Sequence, residues 1–303
     1  MRPIRAFLLV AATVGGVYPL QAQQNTGTQE FRAGEPLDLM PNTRVFGGFH
    51  FAESCSYDPV RDLYVAPSAG NRGDGTENDG YVSLINPDGT VHTLKWIGVT
   101  RDGLTLNHPL GSDIINGLLY LVDRNVVRWF DMSTGEPSGS AEVEDAISFN
   151  DLEVAEDGTI YMSQTGTPER IYRITPDGTS SIFIDGPPLN RPNGVAFDPD
   201  GNIVVVNAGN ADILTFSPAG ELLATEQSLD PRNDGLVILP DGTKYVSSVG
   251  VGTVARIRPG QAPELIASGI PSAASMCYDP TRERLIIPMN SWYALAFVDL
   301  RSR

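Results

Sequence analysis

Basic charge is scarce in this chain of 303 residues. Lysine and arginine number 21 against 37 aspartates and glutamates, a formal net charge of −16 at neutral pH. That balance argues against nucleic acid and anionic membrane surfaces as partners; it suits solubility and the binding of cations. Histidine is scarcer still. His50, His92 and His108 show no metal-ligand spacing with one another, which argues against a histidine-rich metal site. No serine stands in a nucleophile-elbow sequence and no glycine-rich phosphate loop is present, so a serine hydrolase and a nucleotide enzyme are both disfavoured. No stretch after the N-terminus is long and apolar enough to cross a bilayer. No sustained helical periodicity appears either.

The N-terminus carries the one marked apolar run. Arg2 and Arg5 precede Ala6 to Val17, and Leu20-Gln21-Ala22 resembles a small-residue cleavage site. Residues 1–22 therefore read as a signal peptide, and the mature protein is expected in the periplasm or outside the cell. Residues 23–42 read as a flexible leader. Only two cysteines, Cys55 and Cys277, are present. They precede Tyr57-Asp58-Pro59 and Tyr278-Asp279-Pro280 in matching strands but differ by one position, so they point to opposite faces of their units. Neighbouring units in a ring meet by opposite faces. The geometry thus permits a bridge in an exported chain, with two buried thiols as the alternative.

What the chain does have is a repeated register. Asn150 is followed seven and eight residues later by Asp157-Gly158, Asn193 by Asp200-Gly201, and Asp234 by Asp241-Gly242. Glu53 precedes Asp58-Pro59 by five residues, as Asn193 precedes Asp198-Pro199. Each Asp-Gly pair reads as a tight turn between two short apolar strands. Pro176 to Pro218 spans 42 residues and Pro218 to Pro259 spans 41. That period, with about four short strands per unit, predicts an all-β fold, a six-bladed β-propeller over residues 43–303. A sandwich would not repeat in this way. The sixth unit lacks a fourth strand at its C-terminal end, so Thr43 to Phe49 is expected to supply it and close the ring. Unit two offers His108-Pro109-Leu110 at the marked register and unit six offers Ala274, neither with a carboxylate. His108 stands near enough to the register to shuttle protons, although a structural role is the simpler reading. The loop from Pro67 to Gly80 contains Asp74, Glu77 and Asp79 without the spacing of a calcium-binding loop, and reads as solvated.

Equivalent positions on the innermost strands of a propeller converge on its axis. Glu53, Asn150, Asn193 and Asp234 are expected to meet there. Gathered carboxylates repel and raise one another's pKa, and a bound divalent cation relieves the conflict. Mixed carboxylate and amide oxygens favour Ca2+ first and Mg2+ second, with Mn2+ or Zn2+ as further occupants.

Arg191-Pro192-Asn193-Gly194, Phe149-Asn150-Asp151, Asn233-Asp234-Gly235 and Glu53 before Tyr57-Asp58-Pro59 together resemble the senescence marker protein/gluconolactonase/luciferin-regenerating-enzyme family. The resemblance implies a six-bladed propeller around a central divalent ion and hydrolysis of a lactone. It implies metal ligation by Glu53, Asn193 and Asp234, a metal or substrate contact for Asn150, and a general-base role for Asp234. One departure stands out. Where family members acting on sugar acids often carry an arginine, two residues before the unit-three asparagine, this chain has Ser148, which points away from gluconolactone itself. The expected partner is a small-molecule substrate. Two alternatives use the same ion: a phosphotriesterase-like or arylesterase hydrolase, and a non-catalytic exported binding module in which the ion is structural.

Overall fold

The computed structural model describes residues 24–26, 37–70, 77–98 and 103–301. The signal segment and most of the leader lie outside these residues. Six antiparallel sheets follow one another along the chain and close into a ring, a six-bladed β-propeller. Blade 4 shows the plan. Pro192–Phe197 lies innermost, followed outward by Ile203–Asn207, Asp212–Phe216 and Leu222–Gln227. The second strand is buried throughout, while the outermost is almost wholly exposed. This is why second strands read as unbroken apolar runs and outer strands as polar ones.

There is no single central core. Six apolar clusters each fill one seam between neighbouring blades, and strand alternation assigns the side chains. Ile203 and Val205 pack toward blade 3 with Tyr161 and Ile171. Val204 and Val206 pack toward blade 5 with Leu236 and Val246. Each fully buried side chain of this size contributes about 1.5–3 kcal/mol relative to exposure, so the ring is held by its seams.

Closure joins blade 6 to both chain ends. Thr43–Gly47 pairs antiparallel with Ala294–Asp299, Thr43 opposite Val298 and Gly47 opposite Ala294. The N-terminal closing strand is therefore as expected. Gln24–Thr26 departs from the expected loose leader: it pairs with Thr43–Gly47 and adds a fifth strand to the blade. The seam between blades 6 and 1 is also cross-linked. Cys55 and Cys277 form a disulfide with Cα atoms 5.2 Å apart, which settles the pairing left open by the sequence. Tyr64 Oη donates to Asp279 Oδ2 at 2.6 Å, and Arg282 donates through both terminal nitrogens to Asp62 at 2.7 Å. The only helical element among the described residues is a 3-10 turn, Asn290–Trp292.

Candidate functional site

The repeated register corresponds to a repeated backbone device. In five of the six blades, all but blade 3, the residue just before the register position bridges to the far end of the blade's second strand. These bridges are Ala52 to Ser68, Pro109 to Asp123, Pro192 to Asn207, Asn233 to Ser248 and Ala273 to Met289. The ladder then skips. In blades 2, 4 and 5 the two residues that follow, Leu110-Gly111, Asn193-Gly194 and Asp234-Gly235, lie within the register shift. Such a bulge re-aims a side chain that the pleat would otherwise send into a seam. Asn193 and Asp234 are thereby presented from adjacent blades.

The glycines have a physical cause. A Cβ on Gly194 would lie 2.5 Å from the Asp234 carbonyl oxygen, and one on Gly235 would lie 2.8 Å from that of Ala274. Gly111 likewise approaches the Asn150 carbonyl oxygen, to which its own N–H donates at 2.8 Å. Successive inner strands come so close here that the position after the register takes glycine or a small polar residue. Blade 1 has Ser54, which donates to the Leu110 carbonyl oxygen at 2.6 Å. Blade 6 has Ser275. Blade 3 has Asp151, which breaks the rule by size and charge.

Glu53, Asn193 and Asp234 are buried, and Asn150 is half-buried. Asn193 Nδ2 donates to Asp234 Oδ2 at 3.1 Å. This fixes the amide orientation and leaves Asn193 Oδ1 and Asp234 Oδ1 buried without a hydrogen-bond partner. Asn290, from the 3-10 turn of blade 6, donates to Glu53 Oε2 at 2.7 Å. The Asn150 backbone is pinned by Ser163 and Gly111; no hydrogen bond joins its side chain to the other three.

The electrostatics match this crowding. Burial, then repulsion from Glu53 and Asp151, raises the Asp234 carboxyl well above its ordinary range, with the Asn193 amide opposing. Asp151 is pushed up to about 7, chiefly by burial and further by Glu53 and Asp113. Its Oδ2 accepts from Ser275 Oγ at 3.0 Å, and its Oδ1 accepts from the Leu152 N–H at 3.0 Å. Asp113 and Glu153 are also raised, each chiefly by burial. Among the described residues no group of three or more His, Cys, Asp or Glu side chains has metal-holding geometry. The candidate donor set is instead two carboxylates with amide oxygens, and its two orphaned buried acceptors fit a hard divalent cation.

Sequence reasoning missed three contributors. Asp151 is adjacent to Asn150 but takes its hydrogen-bond partner from blade 6. Asn290 comes from a loop with no repeat signal. Asn233 is fully buried with both amide atoms unpartnered, directly before Asp234. His108 donates its backbone N–H to Asp123, and His50 stacks on Tyr293 with ring centroids 4.4 Å apart. A separate cleft at the seam of blades 6 and 1 is lined by Arg44, Phe46, Arg282, Arg284 and Phe297. Arg282 and Arg284 are already paired there with Asp62, Asp279 and Asp299.

A gluconolactonase of Xanthomonas campestris superposes with a TM-score of 0.64 at 20% identity, covering 85% of this chain and 89% of that one. A second structure assigned to the gluconolactonases gives 0.65 at 18% identity, with 93% of both chains covered. Virginiamycin B lyase of Staphylococcus aureus gives 0.61 at 14% identity, covering 87% of this chain and 100% of the lyase. At these identities the likeness is one of fold. No curated protein matches the chain. The family model described as the SMP-30/gluconolactonase/LRE-like region matches residues 87–288, more than half of the chain. That span includes Asn150, Asn193 and Asp234 and begins after Glu53. The chain belongs to the SMP-30/gluconolactonase/LRE-like family.

Proposed function

We propose that this lactonase-like propeller is an exported, metal-dependent hydrolase of a lactone or related cyclic ester. The observation that carries the reading is the pair of buried, unpartnered acceptors, Asn193 Oδ1 and Asp234 Oδ1, on adjacent inner strands. Glu53, Asn150, Asn193 and Asp234 would hold the cation, calcium by preference and otherwise Mg2+, Mn2+ or Zn2+. When bound, it supplies Lewis acidity toward the ester carbonyl and offsets the repulsion between carboxylates.

The chain's own groups do the rest. Asp234 takes the proton from the attacking water as the oxygen–carbon bond forms, and returns it to the ring oxygen as the acyl–oxygen bond breaks. Asn193 Nδ2 keeps that carboxylate in one orientation through Oδ2. The amide of Asn150, with no side-chain hydrogen bond to the rest of the set, is available to the oxyanion. Asn290 holds Glu53 in place. Burial of the set excludes bulk water and strengthens each of these interactions.

A panel of lactones is assayed with calcium, with chelator, and with Asp234→Ala. Activity that needs calcium, and falls by roughly 100-fold or more in the variant, supports the reading. Equal rates in all three conditions refute it. Phosphotriesters and aryl esters in the same panel separate the alternative hydrolase. A cation-dependent melting temperature without turnover of any ester would mark a binding module.

A further inference from the structure

The position two residues before the register, at the entrance of each inner strand, is held by Phe51, His108, Ser148, Arg191, Arg232 and Ser272 in blades 1 to 6. Four of these share a left-handed backbone, with φ of 44° at Phe51, 55° at Arg191, 62° at Arg232 and 60° at Ser272. The conformation is thus part of the architecture. It is also anchored to the same end of each blade, since the Arg191 and Arg232 carbonyl oxygens accept from Ala208 and Val249 at 2.8 and 3.0 Å. Only the side chains differ. The two arginines stand on neighbouring blades, directly before Pro192-Asn193 and Asn233-Asp234.

Both are exposed, and neither guanidinium has a carboxylate partner among the described residues. In so acidic a chain this is unusual, because many of its arginines are paired: Arg128 with Asp123, Arg170 with Asp185, Arg256 with Glu264 and Arg284 with Asp299. Arg232 is also supported. Gly250, in the hairpin beside it, has no room for a Cβ because the Arg232 Cδ and Nε occupy that space. A stem packed flat on a glycine gives up less entropy when its planar fork meets a ligand. Exposed Ile147 and Val251 belong to loops at the same end of the ring, and the Glu169 carboxylate accepts from the Arg191 backbone N–H at 3.1 Å without pairing with its guanidinium.

We infer that Arg232, with Arg191 beside it, selects substrates bearing an anionic substituent, a carboxylate on the lactone ring or its side chain, and turns that substituent toward blades 4 and 5. This rests on the hydrolase reading for its site but uses different residues. Two positive groups above an acidic channel would offset its repulsion of such a substrate.

The test has two arms, both in calcium. In the first, kcat/KM is compared for a five-membered lactone carrying a ring carboxylate and for its carboxamide. In the second, pyroglutamate and its amide, which are lactams that resist hydrolysis, are titrated calorimetrically. The wild type should favour the anion in both arms, less so as salt is raised. Arg232→Gln should reduce the preference by about tenfold and the double variant with Arg191→Gln by more. Arg232→Lys should recover part of it. Arg44→Gln, on the outer strand of blade 6, should match the wild type, and melting temperatures confirm folding. A preference retained in the double variant, or a wild type that binds both lactams equally or neither, overturns the inference. Arginine-dependent pyroglutamate binding with no turnover of either lactone would uphold it while removing the hydrolase reading.

Discussion

Raising the pH of the chelated protein from about 5 to about 8 should destabilise it, and Asp151 sets the scale. Its carboxyl moves from an ordinary 3.8 to about 7 in the folded chain, chiefly through burial. The folded state therefore keeps a proton that the unfolded state has already released, and stability falls as pH rises between those two values. A gap of about three pH units at 1.36 kcal/mol each gives about 4 kcal/mol in all, of which about 3 kcal/mol falls above pH 5. At about 2 °C per kcal/mol for a domain of this size, the melting temperature should drop by at least about 5 °C. Asp113, Glu153 and Asp234 are raised too and act in the same direction. Calcium should flatten the profile, because a cation favours the ionised carboxylates. Asp151→Asn provides the internal check: its amide can still accept from Leu152 and donate to Ser275, and it should remove about 3 kcal/mol of the pH dependence. Scanning calorimetry across pH, with and without chelator, reads all of this. A chelated protein as stable at pH 8 as at pH 5, or a variant with an undiminished slope, would refute the reasoning.

The closing disulfide spans a separation of 222 residues, so cross-linking removes up to about 5 kcal/mol of unfolded-state freedom. Cys55→Ser with Cys277→Ser should lower the melting temperature by several degrees, and an unchanged value would contradict the assigned role. Gly235→Ala places a methyl against the Ala274 carbonyl oxygen and should cost about 1–3 kcal/mol in denaturant unfolding, whereas Gly117→Ala, with nothing near it, tests only backbone strain. Asn290→Ala removes the donor that holds Glu53. It should weaken calcium binding by about tenfold or more with little change in ligand number, as calorimetric titration would show.

The fold was legible because its signals are local and repeated. The spacing from Asn193 to Asp200-Gly201 fixes where an inner strand begins and where it turns; two other units hold the same spacing, and unit one matches through Asp58-Pro59. The missing outer strand of blade 6 was legible by subtraction, and Thr43–Gly47 fills it. The centre was legible only in part. Asn193 and Asp234 share a register and meet, whereas Asp151 is one residue off it and finds Ser275 across the fold, 124 positions away. No periodicity carries that contact. Asn290 lies in a loop specific to one blade, so its hydrogen bond to Glu53 has no repeated counterpart. The cysteines were a middle case: register placed them on facing sides of a seam, but only the closed ring shows that blades 1 and 6 are neighbours.

The most direct measurement of the central claim is cation stoichiometry. Protein stripped with chelator is titrated with calcium, and bound metal is quantified for the wild type, Asn193→Ala and Asp234→Asn. The account predicts one tightly held ion per chain in the wild type, and affinity reduced by roughly 100-fold in each variant, since each removes a buried oxygen that has no other partner. Calcium binding that is absent from the wild type, or unaltered by both substitutions, would contradict it.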